Sequence, residues 1–393
     1  MFAYGIFKVI YSPYKAFKEI IEKPSYIGPV LIMILFIIAN TAFGYALLSK
    51  SYFDQTAPSA SERDKWTENV TFWISNANIT INTNDYINGT YYGNKSIEFS
   101  SDASSYVWMQ LNTSASLNCS GSSGYKSLSF RVKWVQPKLN PLNVSLYMIS
   151  TTVQDFFYKN ITNELNWTNS WNNLTIMLGA DEGWKHYGSA SWANITGLKL
   201  EFMWLNKSNV NILIDGLFFH DVYKSGIESG GLSLLSLGNP YSLINSFMQF
   251  TIQWVILGGV LYIIPKVFGV NTVWKPLLTI AGFVLITYCI RMVLFTGVFA
   301  ASPGINYPLK YLGGVPGEWE TAYTQVFQSI STFYQVMWWI DKVVLVWTIV
   351  LCAIALRLMF EIPWLKSVIL SASSYLLYIL ILVFLTPIPP LLL

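Results

Sequence analysis

The chain has 393 residues, of which 53% are hydrophobic and 11% charged, and a formal net charge of +3. Soluble domains carry roughly a quarter charged residues, so much of this surface must face something other than water. The small charge, with no basic stretch interleaved with aromatics, excludes a nucleic-acid partner and leaves the lipid bilayer, proteins and sugars.

Residues 1–25 are predicted to hold a short amphipathic helix. Ser12 stands at its N-cap, Pro13 in its first turn, and Pro24 ends it. Tyr14, Phe17, Ile20 and Ile21 fall on one face, and Lys15, Lys18, Glu19, Glu22 and Lys23 on the other. Such a helix either lies in the inner membrane interface or packs beneath the spans.

A bilayer core about 30 Å thick takes roughly 20 apolar residues in a helix. Residues 26–48 form the first such run, too long for a signal-peptide core and without a small-x-small cleavage site, and are read as an uncleaved signal anchor. Four more runs follow at Phe247–Pro265, Pro276–Phe299, Phe333–Leu356 and Val368–Leu385, within residues 247–388. Lys8, Lys15, Lys18, Lys23, Lys266, Lys275, Arg357 and Lys366 flank the spans on one side. The loop Ala300–Thr332 has only Lys310 against Glu318 and Glu320. This bias predicts a multi-pass cell-membrane protein with its N-terminus cytoplasmic, and with its C-terminus and residues 49–224 outside.

Twelve N-x-S/T sequons begin at Asn69, Asn78, Asn88, Asn94, Asn112, Asn118, Asn143, Asn160, Asn166, Asn173, Asn194 and Asn206, all in the external segment. Asn40, Asn239, Asn245, Asn271 and Asn306 begin none. N-linked glycans are therefore expected there, against the competing reading that a Ser/Thr/Asn-rich segment makes sequons by chance. Cys119 is the only cysteine in that segment, and Cys289 and Cys352 lie in apolar runs, so no internal disulfide is available. Dense glycosylation without disulfides suggests an archaeal surface protein. His186 and His220 are the only histidines and have no metal-ligand spacing.

Between Glu68 and Val222 the pattern changes to short runs of β-formers at period two: SIEFS, SLSFRVKWV, VSLYMI, NLTIML, GLKLEFMWL and VNILIDGLFF. Gly, Asn and Ser clusters separate them, which predicts an antiparallel sandwich with a core of its own. Residues 225–246 read as a Gly/Ser-rich linker back to the membrane. The fold class expected is a membrane all-α bundle of five transmembrane helices plus an all-β extracellular sandwich inserted between helices 1 and 2.

The strand order over Asn88–His220, with WANITG before the last strand and Ile214-Asp215-Gly216 within it, resembles the galactose-binding-like jelly-roll modules of carbohydrate-active proteins. The resemblance implies a jelly roll and a structural calcium held by acidic groups near the first and last strands, with Glu98 and Asp215 as candidates. The other reading is that Asp215 starts a turn. No other cofactor is required. Sugar binding needs exposed rings, which Trp108, Trp134, Trp167, Trp171, Trp184, Trp192 and Trp204 offer. Trp134 and Trp204 sit in strand patterns and are assigned to the core. Trp184 and Trp192 lie in turn-like stretches and are the sugar-binding candidates, unless they too are packed inside.

In the spans, Arg291 is placed to snorkel outward, and Asp341 lies either at the outer interface beside Lys342 or in a buried pair with Arg291. SPYKAFKEIIEKPSY and IDKVVLVWTIVLCAIALRLMFEIPWLKSVI resemble the five-span YIP (Rab/Ypt-interacting-protein type) membrane family in its prokaryotic branch. Members of that family have a short first loop where this chain carries a whole domain. These features imply a non-enzymatic surface protein: an anchor presenting a lectin-like module for envelope organisation or for binding glycans or a neighbouring protein. A permease-type or accessory subunit of a membrane transport complex is the alternative, with the odd span count and the lack of intramembrane polar pairs or broken helices against it. A hydrolase needs two facing carboxylates, and Asp155, Glu164, Asp181, Glu182 and Glu201 form no paired motif. No G-x-S-x-G occurs either.

Overall fold

The structure, a computed structural model, describes residues 2–230 and 240–385; the middle of the 225–246 connection, residues 231–239, lies outside the described residues. The chain divides into two compact units. One holds Tyr52–Lys224 together with Asn306–Gln328, and the other holds most of the helical residues.

The first unit is β-rich and sandwich-like, with strands β1 (Ser51–Ala57), β2 (Trp73–Ser75), β3 (Asn78–Asn82), β4 (Ser96–Leu117), β5 (Ser127–Gln136), β6 (Asn143–Ser150), β7 (Thr152–Asn160), β8 (Asn172–Met177), β9 (Lys185–Tyr187) and β10 (Ile195–Ser225). Strands β4 and β10 pair antiparallel from Ile97/Ile214 to Leu117/Ile195, with register shifts between Met203 and Val210. One half of β10 adds β6, β7 and β9, and the other adds β5 and β8. Period-two alternation sends Leu198, Leu200, Phe202, Val107, Met109, Leu146 and Met148 inward from the first half. Phe130, Val132, Trp134, Leu174, Ile176, Ile212 and Ile214 come inward from the second, and both sets share one core.

All six predicted runs are strands. The unit's main segment, Tyr52–Lys224, falls within the expected 49–224 although the strand pattern was read only from Glu68, and it recruits Asn306–Gln328, which the sequence pattern assigned to a loop. That segment carries α8 (Leu309–Gly313) and the first turns of α9 (Glu318–Phe360). Arg131 Nη2 donates to both Glu318 oxygens at 2.8 Å. The Arg131 guanidinium also lies 4.3 Å from the Tyr92 ring, and Tyr92 packs with Leu309 and Phe218. At Gly216, in the Ile-Asp-Gly sequence, φ is +61° and an added Cβ would fall 2.5 Å from Tyr92 and 2.6 Å from Arg131, so only glycine fits.

In the second unit, α1 (Phe2–Tyr11) and α2 (Pro13–Glu22) precede α3 (Ile27–Lys50). After α4 (Gly226–Gly230) come α5 (Pro240–Val267), α6 (Trp274–Val284), α7 (Ile286–Ala301), the end of α9, and α10 (Trp364–Leu385). Among the described residues five helical stretches are long and apolar enough to cross a membrane: Ile27–Lys50, Leu243–Val267, Trp274–Ala301, Glu318–Phe360 and Trp364–Leu385. Exposed Ile38, Val293, Val343, Leu376 and Phe384 give these helices an apolar outer surface, as lipid contact requires. Small residues make room for neighbouring side chains: a Cβ at Gly28 would fall 2.1 Å from the Phe283 ring. The third stretch is interrupted at Leu285 alone, which keeps right-handed helical backbone, so this is a kink rather than an unwound segment.

The first amphipathic helix differs from expectation in two ways. Ser12 makes no side-chain capping bond. Its buried stripe is Ala16, Phe17 and Ile20, joined to the helical core, while Tyr14 is exposed. The buried stripe of this helix therefore packs against the other helices of the unit.

Removing the partner of a buried arginine leaves an uncompensated charge. We expect Glu318→Ala to destabilise the sandwich unit by about 3 kcal/mol, the low end for such pairs because the Glu318 side chain is 26% exposed. Hydrogen exchange at β5 amides, accelerated on the order of 100-fold, is the readout; unchanged protection would show that the pair holds nothing.

Candidate functional site

The two outer faces of the sandwich differ. The face of β5 and β8 is covered by the chain itself: by Glu318 on Arg131, by Asp85 on Lys133 at 2.6 Å, and by Trp171 donating to Asp85 at 3.0 Å. The other face carries a field of aromatic and polar side chains. It is built from the outward positions of β4, β10, β6, β7 and β9, which alternate with the core residues named above. Gln110, Lys199, Tyr147, Tyr158 and Lys185 stand in register across it, and Trp108, Glu201, Ser145 and Asn160 form the next row.

Glu201 organises this face. It accepts hydrogen bonds from the Tyr106 and Tyr147 phenols at 2.7 and 2.9 Å and pairs with Lys199 at 2.6 Å. Burial would raise its pKa, but Lys199 and the two phenols outweigh that and hold it below the usual glutamate value. Burial, and then Glu201 itself, push both phenols up, so they remain donors. Lys199 in turn lies 5.3 Å from the Trp108 ring and 5.5 Å from Tyr147. Phe156 stacks on Tyr187 at 4.8 Å, and Tyr147 meets Phe156 and Tyr158 edge-on, each at 5.3 Å. Trp108, Tyr147, Phe156 and Tyr158 are half-buried, and Lys185 and Tyr187 are exposed. The face presents rings held by charge, with Lys199, Glu201 and Gln110 among them.

The sugar-binding candidates Trp184 and Trp192 are elsewhere. Both are buried in the sandwich core: Trp192 stacks on Phe157 at 4.0 Å, Trp184 packs edge-on to Trp192 at 5.4 Å, and Trp184 Nε1 donates to the Met177 carbonyl. Their ring faces are used by one another and cannot take a ligand. Trp134 and Trp204 are buried as expected.

Glu98 and Asp215 do not form a shared metal site. Glu98 accepts from the Asn82 amide at 2.8 Å and from the Asn211 amide. Asp215 is buried, accepting from the Ile87 and Gly216 amides at 2.6 and 2.8 Å and from Thr67, and its neighbour is a second buried carboxyl, Asp64. Asp64 Oδ1 has no donor, which a proton shared with Asp215 resolves. Burial and then Asp215 push Asp64 up; burial pushes Asp215 up to about 6, against the pull of Asp64 and the two amides.

The one three-ligand group among the described residues is Asp54, His220 and Asp221. Calcium takes six to eight oxygens. Here the Asp54 oxygens already accept from the Asp221 and Leu309 amides at 2.7 and 3.1 Å, Asp221 accepts from Ser127, and the third donor is a nitrogen. These residues do not fit calcium. Instead His220 Nδ1 lies 3.4 Å from Asp54 and 3.5 Å from Asp221, within ion-pair reach of both, while Nε2 is buried without a partner. Burial would lower the His220 pKa, but the two carboxylates push it up to about 9.

Ten of the twelve sequon asparagines are exposed, and Asn143 and Asn194 are half-buried, so none is inaccessible. Arg291 and Asp341 are paired in the helical unit at 2.5 and 3.2 Å. The three cysteines are free and buried.

Both buried clusters give the same sign of pH dependence. His220, raised from 6.5 to about 9, contributes stability that is complete below pH 6.5 and lost as pH rises through about 9, on the order of 3 kcal/mol in all. Asp215, raised from 3.8 to about 6, favours the fold while protonated, and that contribution falls as pH rises from 3.8 through about 6. We expect His220→Gln to flatten the melting-temperature profile between pH 6.5 and 9, and Asp64→Asn, which keeps a donor towards Asp215, to flatten it between pH 4 and 6. Profiles parallel to the parent would remove these assignments.

No protein-family model matches the chain, and no curated protein matches it. Solved structures similar to it include a family 11 carbohydrate-binding module from Clostridium thermocellum in complex with a β-1,3-1,4-mixed-linked tetrasaccharide, with a TM-score of 0.26 and 14% identity over 38% of this chain and 89% of that one. A family 30 carbohydrate-binding module of a cellulosomal cellulase from the same organism gives a TM-score of 0.29 and 11% identity over 39% and 91%. An exo-β-agarase gives a TM-score of 0.31 and 13% identity over 42% of this chain but only 24% of its own.

Proposed function

We propose that the protein is a non-enzymatic, multi-pass cell-surface protein in which a YIP-like helical anchor presents a glycosylated jelly-roll domain, and that the outer face around Glu201 binds glycans. The observation that carries this reading is the ring field of Trp108, Tyr147, Phe156, Tyr158 and Tyr187, held by the Lys199–Glu201–Tyr106/Tyr147 network. Sugars stack their apolar faces on such rings while charged groups bond their hydroxyls, and rings held before binding lose little freedom on binding.

The orientation is supported by the composition of the sandwich unit. Residues 306–328, which follow the third apolar stretch, belong to the same compact unit as 52–224, which supports the shared side that the Lys/Arg bias assigns them. Sequons at Asn112, Asn143 and Asn160 border the ring field, since Asn160 shares a row with Trp108 and Asn112 opposes Gly197. The protein's own glycans therefore bound the space a ligand enters.

One observation favours the second reading, a subunit of a transport complex. The Arg291–Asp341 pair is accompanied by Tyr288, Tyr375 and Tyr378, whose hydroxyls lie 3.1 and 3.3 Å apart, and such intramembrane polar groups mark conduction paths in other proteins. Stoichiometric co-purification of a cytoplasmic ATPase would favour it.

For the glycan reading, full-length protein in detergent, with and without its N-glycans, is applied to a glycan array. Trp108→Ala and Tyr158→Ala are each expected to weaken binding about 10- to 100-fold, and Trp184→Phe to leave it unchanged. Binding indifferent to both platform variants would sink the site.

A further inference from the structure

A second site lies within the helical unit, where α2 meets the last turn of α9 and the turn into α10. An open cavity of about 630 Å³ is lined by Tyr14, Lys18, Ile21, Glu22, Arg357, Leu358, Glu361, Ile362 and Pro363. Two cations and two anions line it, and none of the ion pairs among the described residues joins them. Arg357 is the informative member. Its Nη1 is buried and has no acceptor, and its guanidinium carbon lies 4.2 Å from the centre of the Trp364 ring. A buried guanidinium N–H without a partner is costly, and an arginine resting against an indole has less freedom to lose on binding an oxyanion.

We propose that this cavity binds the phosphate of an anionic phospholipid headgroup, with Arg357 as the anchoring donor and Lys18 as the second cation. The chemistry required is a phosphate oxygen, which a lipid or a soluble phosphate supplies equally, and the surroundings favour the lipid. The cavity lies at the end of an apolar stretch. It has Ile21, Leu358 and Ile362 in its wall beside the charges, and Trp364 and Leu365 are exposed next to it. Aromatic and basic residues at the end of a span are the arrangement that holds a headgroup, and basic pockets between spanning helices bind anionic headgroups. Glu22 and Glu361 also line the cavity, so its formal charge is balanced and the phosphate is held by Arg357 and Lys18 rather than by net charge.

The test uses full-length protein in detergent, with native mass spectrometry and thermal shift as readouts and dihexanoyl-phosphatidylglycerol, dihexanoyl-phosphatidylcholine and inorganic phosphate as probes. Dihexanoyl-phosphatidylglycerol is expected to be retained and to raise the melting temperature, with at least tenfold weaker binding in Arg357→Gln, partial loss in Lys18→Gln and no change in Lys15→Gln, whose side chain lies outside the cavity. Because Arg357→Gln can itself disturb the turn, Lys18→Gln on the exposed face of α2 tests the site independently. Equal retention of the anionic lipid by both variants would overturn the site. Protection by inorganic phosphate equal to that by the short-chain anionic lipid would overturn the lipid assignment, as would equal retention of the phosphatidylcholine probe.

Discussion

The β-rich unit depends on the pairing of β4 with β10. These are strands of 22 and 31 residues, far longer than the five or six usual in globular sheets. A strand this long cannot serve one flat layer, because twist accumulates along it. The register shifts between Met203 and Val210 interrupt the ladder at its middle, and β10 changes partners there, from β6 to β5. The inward residues on both sides of the interruption then fill one core. Every outward position inherits its place from this pairing. Lys199 and Glu201 face the ring field because Leu198, Leu200 and Phe202 are committed inward, and a one-residue slip would exchange the two sets.

Those commitments explain what was legible in the sequence. Strands with clean alternation, such as Asn172–Met177 with its strict buried–exposed pattern, announce themselves. Strand β7, TVQDFFYKN, does not: it lies at the periphery of its half, buries only Phe157, and carries aromatics on both faces, so hydrophobicity loses its period. Strand β1, SYFDQTA, reads as a polar continuation after an apolar helix, and its burial comes from Asp54 and Thr56 bonding within the unit, which no hydrophobic pattern encodes. Four of the five apolar helices were legible to within four residues, because length and hydropathy define them; the one read as Phe333–Leu356 begins at Glu318, where the polar first turns give no apolar signal.

The candidate site was legible in kind and misplaced in detail. Tryptophans in turn-like stretches look exposed, but Trp184 and Trp192 turn inward to close the end of the core on Phe157. The better signal was the alternation within strands: Tyr147 between Leu146 and Met148, and Lys199 and Glu201 between Leu198, Leu200 and Phe202. Aromatic and charged residues at outward positions of neighbouring strands are what a binding face requires. Recognising them together needs the register between strands distant in sequence, and single-strand patterns do not contain it. The Asp64–Asp215 and His220 clusters were hidden for the same reason, since their members come from opposite ends of the unit.

Whether the helical unit is only an anchor turns on the cost of its polar contents. Thr287 and Thr348 bond each other at 2.9 Å, and three tyrosine hydroxyls form a second cluster. Interhelical bonds of this kind contribute about 0.6 kcal/mol on average, so hydroxyl pairs alone are adequately explained as packing specificity. A charged pair is different: placing Arg or Asp near the centre of a span costs roughly 2.5 to 3.5 kcal/mol each. Arg291 and Asp341 recover part of that from one another, with side chains still 26% and 40% exposed in the unit. An anchor would be as stable with two leucines there, because replacing an ion pair by packed apolar residues is often neutral or stabilising. Were the unit to span a bilayer, the exposed part of the pair would need polar groups outside it, from lipid headgroups or from a partner helix.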